Sequence, residues 1–192
     1  MELFENVRLK IGDVVLSRKR DRLKRKVTFS NINQIKNIGI VWDASKTEDF
    51  TSLTRFRQKM HERHIDVKII GYYPGKNLPD QYTAIRYLSC LRKDEVNLLY
   101  HPVSSNADSF INKHFDVLID INFKKLFPLK YILCMSKAEL KVGLRDTEST
   151  NSPFDLMMEI KKPVEIENYL DQVIFYLEMI NSESDEKLTK KN

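Results

Sequence analysis

Along the first third of the chain the spacing of apolar residues changes period three times, and each change predicts an element. Leu3, Val7, Ile11, Val14 and Val15 recur at helical spacing, and the basic run from Arg18 to Lys26 follows at once. One helix with an apolar first half and a basic second half is expected. Gly12 weakens it, because a glycine inside a helix costs roughly 1 kcal/mol relative to alanine. Ile38-Gly39-Ile40-Val41-Trp42, ended by Asp43, is a β-branched apolar run of the kind that forms a buried strand. Phe50, Leu53, Phe56, Met60 and His64 then share one face of a helix over 47–64, with Thr47 as its N-cap and Glu48 and Asp49 in its first turn. Val67 to Tyr73 is the next strand, closed by Pro74 and Gly75, which completes a βαβ unit.

The pattern repeats further on. Tyr82, Ile85, Leu88 and Leu91 suggest a short helix, Val96 to Tyr100 a third strand, and Ser105 to His114 another short helix. Phe115 to Ile121 is the clearest strand, and a helix over Phe127 to Ser136 begins near Pro128, where proline is tolerated in a first turn. Glu139 to Leu144 and Phe154 to Ile160 are two more strands. Val164 to Ile180 closes the chain as a helix with Ile166, Tyr169, Leu170, Val173, Leu177 and Ile180 inward. Strands alternating with helices predict an α/β fold: a three-layer, Rossmann-like or flavodoxin-like, mainly parallel sheet of five to six strands with a basic N-terminal helix. The expected division is a basic helical arm over 1–30, the α/β domain over 31–181 and a disordered tail over 182–192, where apolar residues are almost absent.

Composition narrows the class. Hydrophobic residues at 42% and charged residues at 31% are ordinary globular values, so disordered, collagen-like and disulfide-scaffold classes are excluded for most of the chain. No apolar run approaches the ~20 residues of a membrane helix, and Glu2, Glu5, Arg8, Lys10 and Asp13 interrupt the start, where a signal peptide would be apolar, so a cytoplasmic protein is expected. Cys90 and Cys134 lie far apart among apolar neighbours on expected helices and read as reduced core thiols. The net charge of +5 is not spread evenly: residues 8–26 hold nine basic side chains against two acidic ones, whereas residues 27–192 hold 23 of each. Any electrostatic partner therefore belongs to the arm.

Two stretches resemble known families. Ile38-Gly39-Ile40-Val41-Trp42-Asp43, Phe115-Asp116-Val117-Leu118-Ile119-Asp120, Lys141-Val142-Gly143 and Pro153-Phe154-Asp155-Leu156-Met157, in that order and behind a basic helix, resemble an uncharacterised α/β family of Bacteroidetes, which implies no activity. Residues 114–145 look like a strand-helix-strand unit in the N-terminal half of heptosyltransferase-type glycosyltransferases. Those enzymes hold the nucleotide sugar in a second domain for which this chain has no room, so the likeness implies the fold and not glycosyl transfer.

In open parallel sheets ligands bind beyond the carboxyl ends of the strands. That rule selects Asp43 after the first strand, His101 after the third, Asp120 and Asn122 at the fourth and Arg145 after the fifth. Two carboxylates brought together there could hold Mg²⁺ or divide into acid and base. Against this, aspartate is common at such turns for structural reasons: Asp43 turns the chain toward a helix capped by Ser45 or Thr47, and Asp120 braces a loop. His61, His64 and His114 have no evident ligand partners, and no metal or cofactor is assigned. Asp43-Ala44-Ser45-Lys46-Thr47 lacks the glycines of a dinucleotide or P-loop site. The arm residues Arg18, Lys19, Arg20, Arg22, Lys24, Arg25 and Lys26 suit phosphate backbones or anionic lipid, although no aromatics are interleaved for base stacking and Glu2, Glu5 and Asp13 argue against a membrane. The expectation is a binding module that presents this arm to an anionic partner such as RNA or the ribosome, with a homo-oligomer left open. The alternative is a transferase- or hydrolase-type enzyme with an acidic site at the strand ends, and the arm itself could be a solvated helix end packed on the domain.

Overall fold

The computed structural model describes residues 2–75, 77–83, 85–146, 152–160 and 163–180. The expected tail over 182–192 lies outside them. Six strands, β1 (Asn37–Asp43), β2 (Asp66–Tyr73), β3 (Leu88–Arg92), β4 (Val117–Ile121), β5 (Leu140–Leu144) and β6 (Leu156–Met158), form one sheet in the order β3-β2-β1-β4-β5-β6. Every pairing is parallel. This is the Rossmann-like, doubly wound order rather than the flavodoxin-like one, and its direction reverses between β1 and β4.

Helices cover both faces. α2 (Phe50–Glu62) and α5 (Ile166–Met179) pack together on one side, over Ile38, Ile40, Trp42, Ile119 and Ile121. α3 (Ser105–Asn112) and α4 (Phe127–Met135) lie on the other, over Val41, Leu118 and Phe115. Continuous burial along β1 follows from its place at the centre of two covered faces. Trp42 is fully buried within an aromatic trio, stacked on Phe50 at 6.0 Å and edge-on to Tyr82 at 5.3 Å.

Some predicted elements are corrected. Residues 82–91, expected as a helix, form a 3-10 turn at Asp80–Tyr82 and then the edge strand β3, in register with Ile69 to Tyr73. The open edge of β2 takes the apolar segment as a parallel strand instead. Cys90 is thus on a strand, where burial pushes its thiol up to about 12. Residues 96–100, expected as a strand, form a tight loop closed by a Val96–Pro102 bridge, in which the Asn97 carboxamide accepts from the backbone N–H of Leu99 and His101. Thr47 begins a short 3-10 turn, and α2 starts at Phe50 without a side-chain cap.

The N-terminal helix, α1 (Glu2–Asp21), ends short of Lys26, and residues 23–31 continue as an extended connector. α1 packs on α4, with Leu16 buried and Gly12 set against Phe127; a Cβ on Gly12 would stand 2.7 Å from the Leu99 carbonyl. The glycine that weakens the helix is what allows this approach. Arg8 Nε donates to the Leu98 carbonyl at 2.6 Å and its guanidinium lies over Tyr100, while Asp13 pairs with Lys130 at 2.6 Å. The apolar stripe of Phe4, Val7, Ile11 and Val14 faces outward. Among the described residues no helix is long and apolar enough to cross a membrane.

Candidate functional site

The sheet places two of the predicted site residues at the ends of neighbouring strands. In the β1–β4 register Val41 lies opposite Asp120 and Trp42 opposite Ile121, so Asp43 and Asp120 stand near the carboxyl ends of adjacent strands, two residues out of register, where the strand order reverses. Asp43 is 2% exposed. Its Oδ1 accepts from Ser45 N at 3.1 Å and from Ser45 Oγ at 2.6 Å, the turn-bracing geometry that sequence reasoning set beside the catalytic one. Its Oδ2 has the exposed Lys124 ammonium 3.3 Å away, close enough for an ion pair but without hydrogen-bond alignment.

Asp120 Oδ1 accepts from Asn122 N at 3.0 Å. Burial outweighs that hydrogen bond and pushes the carboxyl up to about 7. Tyr169, on α5, is fully buried with its hydroxyl unpartnered, and its pKa is raised by burial first and by the charge of Asp120 second. Asn122 serves the backbone: its carboxamide accepts from Leu126 N and donates to Leu126 O, which fixes the loop between β4 and α4.

His101 and Arg145 do not join this group. His101 is buried between Phe127 and Tyr131, with Nε2 3.3 Å from the Gly12 carbonyl, and so anchors α1. Burial holds its imidazole below the ordinary value. Arg145 pairs with Glu159 on the surface. Spacing gave His114 no partner, yet it lies with Asp116 and Glu139 at the opposite end of the sheet, their ligand-type atoms all within 4.8 Å of one another. Asp116 Oδ2 is already bound by Lys36 N and Asn37 N, so this set is an exposed polar cluster tied to the start of β1.

The basic run divides into two roles. Arg25 is structural: its guanidinium grips Asp155 in a two-pronged pair at 2.6 and 2.7 Å and donates to the carbonyls of Ala138 and Glu139. Lys19 reaches the Tyr131 hydroxyl at 3.3 Å. Arg18, Arg22, Lys24 and Lys26 are exposed. By contrast, the exposed cations Arg55 and Lys59 of α2 and Arg63 just after it pair with Glu167, Asp171 and Glu178 of α5, respectively.

The sequence profile of a family of unknown function, DUF6913, matches residues 10–180. The chain belongs to that family. The matched span takes in most of α1, the connector and the whole sheet, so the helix and the α/β core are parts of one DUF6913 unit. A search of the curated proteins finds no match.

Proposed function

We propose that this DUF6913 protein is a non-enzymatic binding module whose basic surface, running from the end of α1 into the connector, contacts a single-stranded anionic polymer such as RNA. The observation that supports this most is the exposure of Arg18, Arg22, Lys24 and Lys26 on one short stretch, while the exposed Arg55, Lys59 and Arg63 are each matched by an acid. Docking of α1 through Gly12 and His101 holds the first of these charges on a rigid support, so less order must be imposed on binding. A phosphate backbone meets such a surface without regard to sequence and releases counterions as it does so.

Fluorescence anisotropy of a labelled single-stranded RNA measures this directly. Four phosphate contacts predict a slope of about −3 in log affinity against log salt. Replacing Arg18, Arg22, Lys24 and Lys26 with Gln should flatten the slope and weaken binding at low salt by on the order of a hundredfold. Binding that is insensitive to salt, or that the fourfold variant leaves unchanged, would overturn the proposal.

A second reading has its own observation: Asp43 and Asp120 sit at the ends of adjacent strands where strand order reverses, Asp120 raised to about 7 by burial, with the unpartnered Tyr169 hydroxyl close enough to respond to its charge. That arrangement supports a transferase- or hydrolase-type acid and base pair. The bonds of Asp43 to Ser45 and of Asp120 to Asn122 weigh against it, since each holds a turn.

A further inference from the structure

Lys141 is a lysine buried in the sheet. It lies on β5, 3% exposed, and the acceptor it finds for its ammonium is the Cys134 carbonyl at 3.2 Å. Burial, then the neighbouring Arg25, lowers its pKa to about 8, and Arg20 adds to the lowering. Cys134 of α4 and Asp155, from the loop before β6, act in the other direction. Asp155 is engaged by Arg25, and its Oδ2 also accepts from Lys141 N at 2.8 Å, so its charge is largely spent.

These groups border a cleft of about 220 Å³, lined among others by Arg20, Arg25, Lys141, Ser152, Phe154 and Asp155. One wall, Arg25 with Asp155, is neutral. The other two cations, Arg20 and Lys141, have no comparable counter-charge among the described residues: Arg20 meets only the exposed Asp21, at 3.4 Å. Gly143 contributes by leaving room for the Phe154 ring, which packs against the strand where a Cβ would otherwise stand and forms an apolar side of the cleft.

We propose that this cleft binds a phosphate-type oxyanion between Arg20 and Lys141. The volume suits one tetrahedral dianion or a small phosphorylated molecule rather than a dinucleotide. An anion seated there supplies the counter-charge that the described residues do not. Because it favours the charged ammonium, its binding above about pH 8 is coupled to uptake of a proton by Lys141. The cleft adjoins the polymer-binding surface, since Arg20 and Arg25 come from the same stretch, but it uses none of Arg18, Arg22, Lys24 and Lys26, so either proposal can fail without the other.

Isothermal calorimetry of the full chain with inorganic phosphate, and with sulfate as a non-titrating control, tests it at pH 8.5 in two buffers of different ionisation heat. The expected result is saturable binding of both anions, with a buffer-dependent heat that reports proton uptake. Arg20→Gln and Lys141→Met should each weaken binding by about tenfold or more, and Lys141→Met should abolish the buffer dependence. Circular dichroism and urea midpoints confirm that both variants fold. Absence of saturable binding, or binding that neither variant changes, overturns the proposal. A phosphodiester dinucleotide added as competitor separates the two sources: displacement of inorganic phosphate assigns the cleft to a polymer phosphate, and its failure assigns it to a free oxyanion. RNA binding without phosphate binding would refute the cleft alone.

Discussion

Asp155→Ala is expected to lower stability by about 3 kcal/mol, and Arg25→Ala by a similar amount, which is the loss that follows from removing one partner of a largely buried ion pair. The two side chains are only 15% and 14% exposed. Removing Asp155 leaves the Arg25 guanidinium with two carbonyls and no counter-charge, and deprives Lys141 N of its acceptor. The connector that carries residues 23–31 past β5 is held at this point, so the effect extends beyond the pair. Urea denaturation measures it as a lower midpoint. The exposed pair Arg63 with Glu178 provides the contrast, since Arg63→Ala should cost under about 1 kcal/mol. A loss at Arg25 no larger than that at Arg63 would show that the connector is not anchored by the pair.

Asp120→Asn is expected to stabilise the protein above neutral pH. The folded-state carboxyl is raised from 3.8 to about 7, so between those values the native state holds a proton that the unfolded state has lost. Stability contributed by this group is therefore present below about pH 4, falls as pH rises, and is gone above about pH 7. Asparagine stays neutral throughout, and its amide oxygen can still accept from Asn122 N. The variant should match the wild type at pH 4 and exceed it by roughly 4 kcal/mol at pH 8, because each tenfold difference in proton affinity between the folded and unfolded chain is worth about 1.4 kcal/mol. Urea midpoints across this range measure the difference. A variant less stable than the wild type at pH 8 would mean that the Asp120 charge is favourably compensated in the fold.

The parallel sheet was legible because strands near the centre of a doubly covered sheet carry an uninterrupted apolar signal. Ile38 to Trp42 and Val117 to Ile121 needed no partner to be recognised. β3 was not legible: Leu88 and Leu91 are three apart, which suits a helix, and only the free edge of β2 decides otherwise. The loop at 96–102 was hidden for a related reason. Its apolar residues face outward, as Leu98 does, or bear on α1, and a run of five cannot show that. Likewise, the candidate carboxylates were readable from the rule for strand ends, whereas their uses were not. The bond from Asp43 to Ser45 was the expected turn, but the unpartnered hydroxyl of Tyr169 comes from a helix some fifty residues later in the chain. The basic run was visible as charge alone. That Arg25 would be consumed by Asp155, and that Lys141 would be buried beside them, depends on contacts across more than a hundred residues in the first case, which no local pattern encodes.

The most direct test of the binding proposal is an amide NMR titration of the isotope-labelled protein with a short single-stranded RNA at low salt. The account predicts shifts concentrated at residues 18–26, reversed by added salt, with Asp43, Asp120 and Asn122 unmoved. Shifts centred on the ends of β1 and β4 instead, or no shifts at all, would contradict it.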